Sequence, residues 1–128
     1  MNIDRKYIVW ALAYAIAGMA LGIYMAASQN HGQHVTHAHI LLLGFVSSAI
    51  YGFIYKLWLA GTVSILAQLQ LYVHQGGVLA LCGGLYLLYG GGGHMALLEP
   101  VMGLASIAVL LGALTMLFLF VKSRHSAF

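Results

Sequence analysis

Seven of the 128 residues are histidine, and four of them crowd into His31-Gly-Gln-His34-Val-Thr-His37-Ala-His39. Neutral imidazole is the commonest protein metal ligand, so this stretch is the first place to look for ligand chemistry. His37 and His39 stand at the entry to an apolar run, where an ionisable group is costly and is generally kept for function. Residues two apart on a helix point about 200° away from each other. The pair therefore cannot grip one ion from one helix, but it can serve two partners on opposite sides. On that geometry His37 shares a face with Gly44, Ser48 and Gly52, and His39 with Leu43, Val46 and Phe53. His74 lies well inside another apolar run with Gln68, Gln70 and Gln75 nearby. It reads either as a ligand or as an interhelical hydrogen-bonding group. His125 sits beside the charged tail and reads as solvated.

Other chemistries are excluded by what is scarce. Asp4 and Glu99 are the only acids. A carboxylate proton relay and an oxygen-ligated Mg or Ca site are therefore not expected. The glycines at 90–93 are followed by no lysine of a phosphate-binding loop. Cys82 is alone, which excludes an internal disulfide, a CxxC metal site and covalent heme attachment through CxxCH. In its apolar run it reads as a small packing residue. Five basic residues give a net charge of +3 but form no patch, so no nucleic-acid partner is expected.

The elements that must position the histidines follow from hydropathy. The chain is 62% hydrophobic and 5% charged, against about 25% charged in soluble domains. Four apolar runs, 7–28, 38–59, 65–89 and 97–121, each reach the roughly 20 residues that a bilayer core demands. Backbone in lipid must satisfy itself, so each run is a helix. The expected fold is all-α: an integral-membrane four-helix bundle forming one domain over 1–128. The first run follows Arg5 and Lys6 and ends at Ala26-Ala27-Ser28, the order of parts found in a cleavable leader. It is long enough to span, however, and is expected to be retained. Loops are expected at 29–36, near Gly61 and at 90–94, with Glu99 and Pro100 in the first turn of the last helix.

Arg5 and Lys6 before the first helix, Lys56 ending the second, and Lys122 and Arg124 after the fourth all fall on one side. The positive-inside rule makes that side cytoplasmic, with both termini inside. The expected location is a bacterial inner membrane, with His31, His34 and His94 on the periplasmic side. Trp10, Trp58, Tyr7, Tyr55 and Tyr89 are expected in interfacial belts. Gly18 and Gly22 form a GxxxG, and Gly44, Ser48 and Gly52 a second small-residue line. Such lines let helices approach closely; the second can equally offer flat ground to a planar ring.

The stretch His37-Ala-His39-Ile-Leu-Leu-Leu-Gly44-Phe-Val-Ser-Ser-Ala-Ile-Tyr51-Gly52-Phe-Ile-Tyr55 resembles one helix of subunit I of the heme-copper oxidases and the related nitric oxide reductases. In that family a His-x-His pair opens a helix and its two rings serve two hemes on opposite sides. Subunit I is built as three units of four helices with pseudo-threefold symmetry, and this chain is the size of one unit. The resemblance implies a stand-alone unit that assembles as a homotrimer, with His37 of one protomer and His39 of the next facing each other across heme b. Beside the pair, His74 and the small-residue line Gly44, Ser48 and Gly52, both singled out from the residues themselves, are the further candidate cofactor contacts. The family's adjacent histidine pair for copper has no counterpart, so heme binding and electron transfer with a redox partner are implied rather than oxygen reduction.

Two other readings come from the residues alone. His31, His34, His37, His39 and His94, with Met25 and Met95 on the same side, can capture copper or zinc, since imidazole suits both and thioether suits Cu(I). Alternatively the chain is a non-catalytic accessory membrane subunit whose small-residue faces dock a larger complex.

Overall fold

A computed structural model describes residues 1–60, 64–91 and 95–123. The described residues contain no strand and form four helices: α1 Ile3–Ser28, α2 His34–Leu57, α3 Ile65–Tyr89 and α4 Met95–Lys122. All four are long and apolar enough to cross a membrane. Their outward faces carry exposed side chains such as Leu12, Ile16 and Ile23 on α1 and Leu104, Leu111 and Phe118 on α4. Such faces are favourable against acyl chains and would be unfavourable in water.

The helices alternate in direction. Arg5 of α1 and Lys56 of α2 line one groove, and the ring of Trp58 meets that of Phe120 near Lys122. At the opposite end Gln33 Nε2 donates to the carbonyl of Tyr86 at 3.0 Å. The described cations thus gather at one end of the bundle, and His31 and His34 lie at the other.

Three helix starts differ from the sequence expectation. α1 begins four residues earlier, because a charged first turn is compatible with a helix end even where it cannot enter lipid. α2 also begins four residues earlier, at His34 rather than 38. The reason is a compact turn: Gln29 ends α1 in the left-handed region at φ 59°, Gly32 N donates to Asn30 Oδ1, and His37 N already reaches Gln33 O at 2.8 Å. His34 and Thr36 are therefore helical rather than part of a 29–36 loop. α4 begins at Met95, which places Glu99 and Pro100 in its second turn, past the unsatisfied amides that an acid or a proline suits best. α3 matches its expected range, and Ser64 caps it by accepting from Ala67 N at 3.1 Å. The expected turns at Gly61 and at 92–94, together with His94, Arg124 and His125, lie outside the described residues.

Helices in lipid gain little from burying apolar surface against each other, so close fit and hydrogen bonds hold them. The seam between α1 and α2 is a row of glycines on each helix receiving side chains from the other. Gly18 accommodates Leu41 and Gly22 accommodates His37, while Gly44 receives the ring of Tyr14 and Gly52 receives Tyr7 and Ile8. Across α3 and α4, Gly77 lies against Ala105 and Ala108, and Gly112 against His74. Cys82 packs with Tyr14 and Val78, as a small core residue.

Tyr7 and Tyr55, expected in interfacial belts, turn their rings into the bundle rather than outward. They are 0% and 2% exposed and stack at 5.6 Å between ring centroids. Their spacing along α1 and α2 turns both rings into the bundle, where stacking and packing outweigh an interfacial position.

The glycine seam is directly testable. A methyl at residue 44 would lie 2.5 Å from Cγ of Tyr14, whereas one at Gly76 meets nothing within 4 Å. Gly44→Ala should lower stability by about 1–3 kcal/mol. Gly76→Ala should be neutral or raise it by up to about 1 kcal/mol. Unfolding of the micelle-bound protein with a denaturing detergent measures both.

Candidate functional site

Residues Ile40–Val46, directly after the histidine pair, wind as a π-helix. Such segments are rare and are frequent at functional sites. The wider turn is accompanied by two side chains that use its carbonyls. Ser47 Oγ donates to Leu42 O at 3.0 Å, and His74 Nε2 of α3 lies 3.2 Å from Leu43 O. A carbonyl only accepts, so Nε2 of His74 carries the hydrogen. His74 is therefore engaged as an interhelical donor, the second of its two sequence readings.

His74 is the centre of a polar core. It is 0% exposed and its ring meets Tyr51 edge-on at 5.0 Å. One turn before it, Gln70 accepts from Tyr55 Oη at 2.6 Å and donates to Gly112 O at 3.1 Å. Gln75 Nε2 donates to Ser48 Oγ at 3.0 Å. α3 thereby bonds to α2 at Leu43, Ser48 and Tyr55 and to α4 at Gly112. Tyr7 Oη, Tyr14 Oη, His74 Nδ1 and Gln75 Oε1 are buried and form no hydrogen bond with another protein group. Sequence reasoning singled out His74 with Gln70 and Gln75 nearby, but not Tyr55, Ser48 or Gly112 as the partners of those glutamines. The legible signal was spacing: Gln70 and His74 are four apart, as are Tyr51 and Tyr55, and each pair shares a helix face.

The other sequence-named residues separate into two groups. Gly44, Ser48 and Gly52 are buried within the chain by Tyr14, by the bond to Gln75, and by Tyr7 with Ile8. They pack helices and leave no flat ground for a planar ring. His37 and His39 remain available. His37 lies half-buried against Gly22, and its Nδ1 is buried without a protein partner. His39 Nδ1 lies 2.9 Å from the carbonyl of Val35, one turn earlier. That carbonyl requires the hydrogen on Nδ1, which leaves Nε2 as a lone pair making no protein hydrogen bond. Metal-bound histidines are held in this way, with the second ring nitrogen donating to a carbonyl or carboxylate that fixes tautomer and orientation.

His31 and His34 are exposed at the end of the bundle opposite the described cations, where His34 Nδ1 lies 3.0 Å from His31 O. Among the described residues no three of His, Cys, Asp and Glu converge as a metal site within one chain requires. A cleft of about 450 Å³ opens at this end beside Tyr24, Gln33 and Tyr89, and neither His37 nor His39 lines it.

Comparison with known proteins finds no matching family model, no matching curated protein and no matching solved structure.

The polar core makes its own prediction. In a double-mutant cycle of Tyr55→Phe and Gln70→Leu, the two side chains should couple by about 0.6–1.7 kcal/mol, the range of buried hydrogen bonds in membrane proteins. A coupling of zero in the same unfolding assay would remove this bond from the account.

Proposed function

We propose that the chain is the protomer of a homo-oligomeric b-type heme protein of the membrane, in which His39 supplies an axial imidazole. The observation that carries this reading is the ring of His39, whose Nδ1 is tied to Val35 O and whose Nε2 is free at the edge of the bundle. His37 is the candidate for the second axial ligand, contributed by a neighbouring protomer. It lies two residues away on the same helix and faces α1 across Gly22. The pair therefore serves two sides, as the separation of about 200° requires.

The macrocycle belongs between protomers in this reading. Within one chain the small-residue line is filled, and the outer cleft is lined without the two histidines. The apolar outer faces of the helices supply the low-dielectric surroundings in which a cofactor is held without covalent attachment. The resemblance of the helix starting at His37 to the oxidase helix supports three protomers and a threefold arrangement. The end carrying Arg5, Lys6, Lys56 and Lys122 is assigned to the cytoplasm, which places His37 and His39 near the outer face. Held by His39 and His37, a heme would supply reversible one-electron transfer.

The test is an optical spectrum of protein purified after expression with ample heme, oxidised and reduced. Wild type should show a Soret band with sharp α and β bands on reduction, and His39→Ala and His37→Ala should lose it. His74→Leu should keep the spectrum while lowering stability by about 1–3 kcal/mol, because its bond to Leu43 O is structural. A colourless wild-type protein would end the heme reading, and loss of the band in His74→Leu alone would move the ligand to α3.

A further inference from the structure

At the end of the bundle opposite the histidines, α1 and α2 diverge and leave a groove of about 390 Å³. Its rim carries Arg5 and Lys56, one from each helix, together with Asp4. Both cations are exposed, and neither side chain forms a hydrogen bond or an ion pair within the protein among the described residues. Below the rim the lining is apolar, with Val9, Leu12 and Phe53. Those three side chains are all more than half exposed. The groove narrows toward Gly52, where Ile8 and Tyr7 close over the glycine.

We propose that this groove is a binding site for an anionic phospholipid, with the phosphodiester between Arg5 and Lys56 and one acyl chain against Val9, Leu12 and Phe53. The match is in both charge and polarity. Two cations and one carboxylate leave the rim with a sum of +1, which one phosphodiester charge neutralises. The apolar floor lies on the side that runs into the span, where an acyl chain must follow its headgroup. A soluble phosphate would satisfy the rim and leave the floor uncovered, and an uncharged or zwitterionic headgroup would leave the rim unneutralised.

The groove is distinguishable from a general attraction of the cationic end for acidic lipid, because Lys122 lies at the same end but outside it. The experiment is native mass spectrometry of the detergent-solubilised full chain titrated with phosphatidylglycerol or with phosphatidylcholine of the same acyl composition. It compares wild type, the double variant Arg5→Gln/Lys56→Gln, and Lys122→Gln. Phosphatidylglycerol should bind wild type and Lys122→Gln alike, and the double variant about tenfold or more weakly, given the contribution of one cation at a membrane surface. Phosphatidylcholine should bind wild type no better than phosphatidylglycerol binds the double variant, and inorganic phosphate should not displace phosphatidylglycerol. Exposed glutamines in place of exposed cations leave the core untouched, and an unchanged circular dichroism spectrum verifies the fold. Equal binding of the two lipids, or an equal loss in Lys122→Gln, would overturn the proposal. So would displacement by inorganic phosphate, or a change of oligomeric state in the double variant showing that a second copy fills the groove.

Discussion

Inside a bilayer a side-chain donor has no water to turn to, and the bond from His74 Nε2 to Leu43 O answers that constraint at the point where α2 departs from regular α-helix. The segment Ile40–Val46 presents its carbonyls on a wider turn, and one of them meets an imidazole from α3. With Gln70 bonded to Tyr55 and Gly112, and Gln75 to Ser48, α3 is tied to both neighbours. It is also the helix most enclosed by the others, with half of its span buried against 22% for the remaining three. Gln70, His74 and Gln75 thus each find at least one partner within the protein, as hydrocarbon requires.

The same bonds place the upper part of α2. His37 and His39 sit just before the π-helical segment, so their direction relative to Ser48, Gly52 and Tyr55 depends on how many residues that segment takes per turn. His37 meets Gly22 on α1, while His39 is locked to its own helix at Val35. One ring is thereby seated between helices, and the other presents a lone pair at the bundle edge. A rigid carbonyl partner holds a ligand in one tautomer more reliably than solvent does.

The two ends of the molecule divide the labour between them. The cations and the groove between α1 and α2 lie at one end, and the histidines and the 450 Å³ cleft at the other. Between them the α1–α2 seam is built from glycines that admit Leu41, His37, Tyr14 and Tyr7. The outward faces are mostly apolar.

The number of helices, their approximate spans and the gathering of cations at one end were all legible in the sequence. They follow from the length of apolar runs and from the cost of placing charge in lipid, which depend on composition and not on neighbours. The opposed directions of His37 and His39 were legible too, since two residues subtend the same angle wherever the helix lies. Tertiary structure alone decided the rest. Gly44, Ser48 and Gly52 look alike as flat ground or as a packing seam, and only the arrival of Tyr14, Gln75 and Tyr7 settles which they are. Tyr7 and Tyr55 sit at span ends in the sequence, yet their rings turn inward because each finds the other. His74 read equally as ligand or as hydrogen-bond donor, and tertiary structure supplies the acceptor, Leu43 O. That carbonyl lies 31 residues away in the sequence, on a π-helical turn that no local spacing announces.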